Sequence, residues 1–316
     1  MIVVSLMRLD DQESRLKEAY PDVSFHFYKH PSELPHDIQK EMDVLITYHA
    51  EVNQAFIENA PNLKWIAWYA TGVNTLPFET LNERGITLTN AGGVHAQQLT
   101  EFLFAYILDD YKELKEAYSE QQDRIYNHKR VTPSVSGQRI LFLGTGKIPQ
   151  RAAQVAKVLG METIGLNTTG HEADYFDQTD SLARRQEIYA SADIIVNLLP
   201  ETEETYHLLK REDFQAMNQH TLFINIGRGT ITEEAVLVDS LKEHEIRKAY
   251  LDVFDKEPLE ATSKLYDLDN VYITAHISGN RDDNKKQATD IFLNNLENFL
   301  NNGEVNENVV DVNKGY

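Results

Sequence analysis

The sequence contains no cysteine among its 316 residues. Disulfide bonds, thiolate zinc sites and a cysteine nucleophile are therefore excluded. Long apolar runs are also missing, because nothing approaches the ~18 consecutive apolar residues of a membrane-spanning helix. The first run, MIVVSLM, is short and is soon followed by acidic residues. It predicts a buried strand and not a signal peptide, so we expect a soluble, cytoplasmic protein.

Positive charge is scarce as well. The chain has 30 Lys and Arg against 50 Asp and Glu, which gives a formal net charge of -20. A field of that sign repels a phosphate backbone, so nucleic acid is not an expected partner. With 41% hydrophobic residues the chain can bury a large core, and its length suggests about two domains of ~150 residues each.

Short β-rich runs alternate with stretches of helical length twice along the chain. The first group comprises residues 2–6, 23–28, 43–48, 63–70 and 86–90. The second group comprises residues 139–144, 162–167, 193–199, 221–227, 248–254 and 271–275. This alternation predicts an α/β protein with two Rossmann-like, doubly wound parallel-sheet domains. The second group is almost continuously apolar, as is typical of strands covered on both faces.

Two longer helical patterns, at 96–120 and 282–301, lie outside these groups. We interpret them as the segments where the chain passes between the domains, with its end returning to the first. The predicted substrate-binding, flavodoxin-like domain is therefore 1–97 plus 287–316. The predicted dinucleotide-binding domain is 98–286.

The stretch RILFLGTGKIPQ joins a predicted strand to a predicted helix through a glycine turn. Gly144 permits the tight turn, and Gly146 lets the backbone approach a pyrophosphate held at a helix N-terminus. Pro149 stands where a third glycine is usual. Because proline disfavours helical dihedrals in the preceding residue, we expect the helix to begin at Pro149. We predict a cofactor site that includes Thr145, Lys147 and Ile148.

The corner after the next strand lacks an acidic residue. NAD-binding folds place a carboxylate there, ~20 residues beyond the glycines, to hold the adenine ribose. Here the strand ends at Asn167, which Thr168 and Thr169 follow. Since a carboxylate would repel a 2′-phosphate, its absence favours NADP over NAD. No arginine stands beside this corner, and His171 is the nearby candidate for contacting such a phosphate.

Three further strand ends carry chemistry-bearing side chains. The stretches INIGRGT, LDVFDKEPL and TAHISG place Arg228, Asp252, Glu257 and His276 there. Because ligands of open α/β sheets bind outside the carboxyl ends of the strands, we expect these side chains on the cofactor's side of the sheet. Arginine can clamp a carboxylate with its planar fork. Histidine can transfer a proton near neutral pH, and a neighbouring carboxylate favours its charged form.

Together with ATGVN at 70–74, LPETEET at 199–205 and VVDVNKGY at 309–316, these stretches resemble the D-isomer-specific 2-hydroxyacid dehydrogenase family. Within it, the chain is similar to the glyoxylate/hydroxypyruvate reductase subgroup. The resemblance covers nearly the whole chain. It implies an oxidoreductase that reduces a small 2-keto acid to the D-2-hydroxy acid with NAD(P)H in the cleft between two domains. It also implies a homodimer, with 96–130 as a plausible interface.

The resemblance further implies a role for each site residue. Arg228 binds the substrate's carboxylate and keto oxygen, and His276 protonates the carbonyl. Glu257 keeps His276 protonated, while Asp252 orients the nicotinamide carboxamide. The backbone of Thr71, Gly72 and Val73 holds the substrate carboxylate. The family's ribose-binding acid falls at Asn167, and the remaining cofactor-binding residues are Leu199, Pro200, Ile226 and Gly227.

Some departures from the family pattern leave alternatives open. Ala275 replaces the proline usual before the histidine, and Pro149 replaces the last fingerprint glycine, so the cofactor geometry differs locally. Glu257 stands where formate dehydrogenases of the family carry Gln, and the regulatory domain of many phosphoglycerate dehydrogenases is absent. Both observations argue against those substrates. Bulkier keto acids and a non-catalytic NAD(H)-sensing role, like that of the family's transcriptional corepressors, stay open.

The histidines give no zinc pattern. His26, His30 and His36 lie close in sequence, but their spacing fits no known ligand set, and we predict no metal site. Tyr48 and His49 follow another predicted strand. They are candidates for the substrate pocket or for purely local structure.

Overall fold

A computed structural model describes residues 1–73, 75–281 and 283–312 of the chain. Asn74 of the ATGVN stretch and the last four residues of VVDVNKGY lie outside the described residues. The chain forms two compact units, one of residues 1–95 with 281–316 and one of residues 96–280. The functions that the sequence analysis assigns to the two domains stay predictions.

The first unit contains a parallel five-stranded sheet in the order β2-β1-β3-β4-β5. Its strands are β1 (Ile2–Ser5), β2 (Ser24–Phe27), β3 (Val44–Thr47), β4 (Trp65–Trp68) and β5 (Thr87–Asn90). Its helices are α1 (Gln12–Ala19), α2 (His36–Glu41), α3 (Gln54–Glu58), α4 (Phe78–Glu83) and α11 (Asn284–Asn302), with a 3-10 turn at Pro31–Glu33. The central strands β3 and β4 are buried along their whole length, as continuously apolar parallel strands are.

The helix α11 completes the core of this unit although it comes from the far end of the chain. The ring of Trp65 is fully buried and stacks on Phe292 with their centroids 4.9 Å apart. The buried Asn295 accepts the N–H groups of Asn306 and Glu307 at 3.0 and 2.9 Å, which ties the segment after the helix to it. Aromatic stacking and area burial thus join both parts of the chain into one unit.

The second unit contains a parallel seven-stranded sheet in the order β12-β11-β10-β9-β6-β7-β8. Its strands are β6 (Arg139–Leu143), β7 (Glu162–Asn167), β8 (Gln178–Ser181), β9 (Ile194–Asn197), β10 (Leu222–Asn225), β11 (Lys248–Leu251) and β12 (Val271–Ile273). Its helices are α5 (Ala96–Lys112), α6 (Leu114–Gln122), α7 (Lys147–Val158), α8 (Arg185–Tyr189), α9 (Arg211–Gln215) and α10 (Glu234–Lys242), with 3-10 turns at Leu182–Arg184, Gly229–Ile231 and Lys264–Asp267. Apolar clusters pack on both faces of this sheet.

The predicted fold class is confirmed, and every predicted β-rich run contains one strand. The sequence analysis missed β8, because its residues QTDS are polar and lie at the sheet edge, where no apolar signal is required. The predicted helix at 96–120 is two helices. Glu113 separates them with a left-handed φ of +50°, which interrupts the helical path.

Within the described ranges, no helix is long and apolar enough to span a membrane.

Candidate active site

The glycine turn lies where the strand order of the second sheet reverses, between β6 and its neighbour β9. Gly144 has a φ of +104°, which favours glycine, and its N–H donates to the Leu166 carbonyl at 2.8 Å. Gly146 is the N-cap of α7, and a Cβ placed on it would meet no described atom within 4 Å. Packing inside the protein therefore does not demand glycine at 146. An open backbone at a helix N-terminus fits the pyrophosphate of a dinucleotide.

The helix α7 begins at Lys147, so the prediction that it begins at Pro149 was wrong. Pro149 is the third helical residue and is buried. The first four N–H groups of a helix have no partner within the helix, so the missing N–H of proline leaves no bond unmade there. This position outweighs the effect of proline on Ile148, which is helical and partly buried, while Lys147 is exposed.

Asn167 shapes the corner after β7 from inside the protein. The residue is only 7% exposed. Its Oδ1 accepts the N–H groups of residues 169–171 at 2.7 to 3.2 Å. Its Nδ2 donates to Thr145 Oγ1 at 3.2 Å and to the His171 carbonyl at 2.8 Å. Because these bonds use both amide hydrogens, a contact between Asn167 and a cofactor stays a prediction.

The exposed side chains of this corner are those of its other residues. Thr168, Thr169 and His171 are exposed, and Thr169 Oγ1 lies 2.9 Å from His171 Nδ1. The corner therefore presents hydroxyl groups and an imidazole to solvent at the carboxyl edge of the sheet. Asn167 fixes the path of the backbone that carries them.

Arg228 follows β10, and two buried asparagines hold its backbone. Asn197, the last residue of β9, and Asn225, the last residue of β10, donate from Nδ2 to the Arg228 carbonyl at 3.3 and 3.1 Å. Asn197 also donates to Asn225 Oδ1 at 2.9 Å. The guanidinium donates one bond to the Gly227 carbonyl at 2.9 Å and is partly exposed. Most of its five donors thus stay available to a planar acid.

The sequence analysis missed both asparagines. The signal was present, since each ends an otherwise apolar strand, IIVN or LFIN. A polar residue that is buried at a strand end must find hydrogen-bond partners nearby. Here those partners are the turn that carries Arg228.

Gly229 brings this turn against the segment after β11. A Cβ at 229 would lie 1.9 Å from the Phe254 carbonyl carbon, a distance that no side chain tolerates. Gly227 is packed tightly but less closely, since a Cβ at 227 would lie 3.0 Å from Asn197 Nδ2. The buried Ile226 anchors the start of the turn. These close approaches explain why glycines flank Arg228 in the GRG stretch, independently of any ligand.

Glu257 and His276 form a hydrogen-bonded pair. His276 Nδ1 lies 2.7 Å from Glu257 Oε2, and Glu257 Oε1 accepts the Phe254 N–H at 3.0 Å. The His276 side chain is 54% exposed, so the ring's other nitrogen is accessible. His276 has a left-handed φ of +52°. Such a conformation costs about 1–3 kcal/mol and persists only where neighbouring bonds hold it.

Asp252 supplies those bonds. It is fully buried and accepts the N–H groups of Ile277 and Ser278, each at 2.9 Å, and the Thr274 hydroxyl. The His276 N–H donates to the Asp252 carbonyl at 2.8 Å. Burial alone raises the pKa of the Asp252 carboxyl, but the hydrogen bonds outweigh it and hold that pKa below its usual value. A buried carboxylate therefore sets the geometry of the histidine loop.

The predicted residues Leu199 and Pro200 lie at the same sheet edge, after β9. Leu199 is buried and donates its N–H to Asn197 Oδ1 at 3.2 Å. Pro200 is exposed, and its carbonyl accepts the Thr205 hydroxyl at 2.7 Å. These bonds make the 199–205 stretch a compact turn beside the glycine turn of β6.

In the first unit, the predicted loop Thr71–Val73 is pinned through its carbonyl groups. The Thr71 carbonyl accepts Asn90 Nδ2 at 3.0 Å, and the Gly72 carbonyl accepts Trp68 Nε1 at 2.8 Å. Val73 is buried, and Thr71 Oγ1 is buried with no hydrogen bond to a described residue. The N–H groups of 71–73 likewise donate to no described acceptor. Unused amide hydrogens of this kind suit a carboxylate ligand.

Comparison with known proteins shows which family the chain is similar to. Residues 104–278 match the family model described as D-isomer specific 2-hydroxyacid dehydrogenase, NAD binding domain. The chain is 31% identical over 258 residues to a glyoxylate reductase of Pyrococcus horikoshii, covering 78% of this chain and 77% of that protein. It is 28% identical to a glyoxylate reductase of Thermococcus gammatolerans, covering 90% and 89%. A D-isomer specific 2-hydroxyacid dehydrogenase family protein from Aeromonas salmonicida superimposes with a TM-score of 0.86 at 27% identity, covering 98% and 99%.

Proposed function

Because the chain belongs to the D-isomer-specific 2-hydroxyacid dehydrogenase family, a family of NAD(P)-dependent oxidoreductases, we propose that it reduces small 2-keto acids of the glyoxylate and hydroxypyruvate type. The product is the 2-hydroxy acid, with D configuration where it is chiral. One observation carries the proposal. The His276–Glu257 pair and the anchored Arg228 follow three neighbouring strands, β12, β11 and β10, at one sheet edge.

The proposed chemistry assigns each of these residues a step. Arg228 binds the substrate carboxylate with its free N–H groups and fixes the C2 carbonyl. Bound NAD(P)H supplies the hydride that the C2 carbon accepts. As the C–H bond forms, the carbonyl electron pair moves to oxygen, which takes the proton from His276 Nε2. Glu257 holds the Nδ1 proton, so Nε2 is the nitrogen that faces the substrate.

We also propose that NADPH is preferred over NADH. The corner after β7 exposes Thr168, Thr169 and His171. Asn167 stands where the family's ribose-binding acid would be, so no carboxylate lies at that position. A 2′-phosphate there meets hydroxyl donors and an imidazole instead of a repelling charge. Lys147, Ile148 and Thr145 complete the dinucleotide site around the glycine turn in this proposal.

The unit 96–280 is proposed to bind the dinucleotide, and the backbone of Thr71, Gly72 and Val73 in the other unit to bind the substrate carboxylate. A homodimer is part of the same proposal. Apolar side chains after α6 are highly exposed, namely Ile125, Tyr126 and Val131. Large apolar side chains that are exposed within one short segment are typical of a protein–protein interface. Sedimentation equilibrium measures the mass, and a monomer at micromolar concentration contradicts the dimer.

The test measures the oxidation of NADPH and of NADH in parallel, with glyoxylate, hydroxypyruvate and a bulkier keto acid. We expect turnover with the small acids, fastest with NADPH. Arg228→Ala removes charge-assisted bonds to the substrate, so kcat/KM falls about 10²-fold while NADPH binding, followed by nucleotide fluorescence, is unchanged. The matched control is Arg211→Ala, whose partly exposed guanidinium pairs with Glu243 and Glu245.

Each other result has a meaning. Faster turnover with NADH keeps the reductase and removes the cofactor preference. Turnover of the bulkier acid alone moves the substrate class to the larger D-hydroxyacid dehydrogenases. Cofactor binding without turnover of any acid contradicts the enzyme and supports the sensor alternative.

A further inference from the structure

Three side chains with metal-ligating atoms meet at the carboxyl edge of the first sheet. His30 lies after β2 and caps the 3-10 turn at 31–33, while His49 and Glu51 lie after β3. The strands β2 and β3 flank β1, so their two loops come together at its carboxyl end. One ligand atom of each of the three side chains lies within 4.8 Å of the others. Two imidazoles and a carboxylate form a common ligand set for a transition-metal ion.

The distances are close to those of a bound ion. His30 Nε2 lies 3.2 Å from Glu51 Oε1, and His49 Nδ1 lies 3.9 Å from Glu51 Oε2. Ligands bound tetrahedrally at the usual zinc distances lie about 3.3 Å from one another. We propose that His30, His49 and Glu51 bind one Zn²⁺ or a divalent ion with similar ligand preference. The Glu51 side chain is 57% exposed, so it can move by the small amount that closing the site requires.

The surroundings of His30 fix the nitrogen that faces the ion. His30 Nδ1 lies 2.9 Å from Ser32 Oγ and accepts the Ser32 N–H at 3.2 Å, which directs Nε2 toward Glu51. With a metal on Nε2, the neutral ring carries its proton on Nδ1, which then donates to Ser32 Oγ and gives up the bond from the Ser32 N–H. An outer hydrogen bond of this kind orients most metal-bound histidines.

Contacts with neighbouring rings hold the His49 side chain in place, and its ring nitrogens form no hydrogen bond to the described residues. Its ring packs edge-on against that of His30, with the centroids 4.9 Å apart, and stacks on Tyr48 at 4.5 Å. The side chain is only 15% exposed, yet its Nε2 makes no hydrogen bond to any described residue. By contrast, His26 Nε2 bonds to Ser24 Oγ at 3.0 Å. Nδ1, the nitrogen near Glu51, is therefore the ligand atom in this proposal, and Nε2 carries the ring's proton in the metal-bound form.

The donor set selects the class of ion. Nitrogen donors favour zinc and its neighbours in the transition series over Mg²⁺ and Ca²⁺, which prefer oxygen. With no cysteine in the chain, no thiolate competes for the ion. The net charge of -20 raises the local cation concentration. The spacing of His26, His30 and His36 misses this site, because the partners of His30 come from the loop of another strand.

The experiment uses the full-length protein without a histidine tag, stripped of metal by a chelator. Zn²⁺ is titrated calorimetrically, Co²⁺ is titrated by visible absorption, and the melting temperature is followed at rising Zn²⁺. Wild type is compared with His30→Ala, Glu51→Gln and the control His36→Ala, an exposed histidine on α2. Far-UV circular dichroism checks that each variant is folded. Glu51→Gln keeps the shape of an exposed side chain and so tests the site without a packing change.

We expect wild type and His36→Ala to bind one ion per chain, with Co²⁺ bands typical of tetrahedral coordination and a melting temperature that rises with Zn²⁺. His30→Ala and Glu51→Gln should bind at least ~10-fold more weakly, since each removes one of three ligands. Equal binding by all four proteins, or no stoichiometric binding by wild type, overturns the proposal. Mg²⁺ that competes equally with Zn²⁺ overturns it too. None of these readouts depends on the proposed reductase activity.

Discussion

Two buried aspartates lie at opposite edges of the seven-stranded sheet and are held in different ways. At the amino edge, Asp110 of α5 accepts two bonds from Arg247, at 2.8 and 2.7 Å, and contacts Lys248 Nζ at 2.8 Å. At the carboxyl edge, Asp252 is bonded to a hydroxyl and two N–H groups, and its hydrogen-bond partners among the described residues are uncharged. Lys248 begins β11 and Asp252 follows its end, so one strand links the two sites.

The two carboxylates reach the same protonation state by different means. Burial alone raises the pKa of the Asp110 carboxyl, but bonds and charges from Arg247 and Lys248 hold it below its usual value. At Asp252, hydrogen bonds from neutral donors outweigh burial in the same direction. Cations therefore cancel the charge at the amino edge. At the carboxyl edge the negative charge of Asp252 is balanced, among the described residues, only by neutral hydrogen-bond donors of the loop that carries His276.

The largest expected effect comes from Asp252→Asn. The amide keeps the size of the side chain but places its NH₂ hydrogens against the N–H group of either Ile277 or Ser278, which bond different oxygens of Asp252. The unfolding free energy should fall by about 1–3 kcal/mol. The displaced His276 should lower kcat/KM by about 10²-fold, as an ångström of misplacement does. Urea unfolding and steady-state kinetics measure the two losses, and wild-type kinetics in this variant contradict a positioning role.

Asp110→Asn should lower stability by a similar amount but leave the kinetics unchanged, so its total effect is smaller. Arg247 and Lys248 then lie together without a counter-charge. We expect a loss of about 2 kcal/mol, less than the ~3–5 kcal/mol of a fully buried pair, since the Arg247 side chain is 35% exposed. The control is Glu116→Gln, an exposed acid of α6 that lines the same surface cleft as Asp110 and Arg247. A fall in kcat would show that the two sheet edges are coupled.

The smallest expected effect is a change in how the unfolding free energy depends on pH. Both aspartates have a lowered pKa in the folded state, so their stabilisation is present above the unfolded value of about 3.9 and is lost as the pH falls through the folded values. Urea midpoints measured from about pH 6 to about pH 3 should fall less steeply for either Asn variant than for wild type. Parallel curves would mean that other carboxyls dominate acid unfolding.

The sequence predicts more about this fold than about the details of its site. Apolar runs locate the strands because parallel strands must be buried. The strand β8 is not predicted, because its residues QTDS lie at the sheet edge and need no apolar face. The motif residues Arg228, Glu257 and His276 can be identified from strand ends. Asn197 and Asn225 support Arg228, and these two asparagines bond to each other although they are 28 residues apart in sequence. The sequence alone does not show that pairing.

The start of α7 shows a different limit. Local dihedral preference favours a helix that begins at Pro149, yet α7 begins at Lys147, because a proline in the first helical turn leaves no hydrogen bond unmade. The His30, His49 and Glu51 cluster shows a further limit, because two loops meet there only after β1 has paired with β2 and β3. The first case depends on the place of the proline within the helix, and the second depends on long-range strand pairing.

The placement of α11 has a consequence for biosynthesis. When the ribosome has made residues 1–95, the face of Trp65 that stacks on Phe292 has no cover, and β5 lacks its bridge between Thr89 and Val309. The unit 96–280 is continuous in sequence and has all its strands before α11 leaves the exit tunnel. The portion made first is therefore completed last. During that interval the exposed indole face of Trp65 is an apolar surface of the kind that chaperones bind.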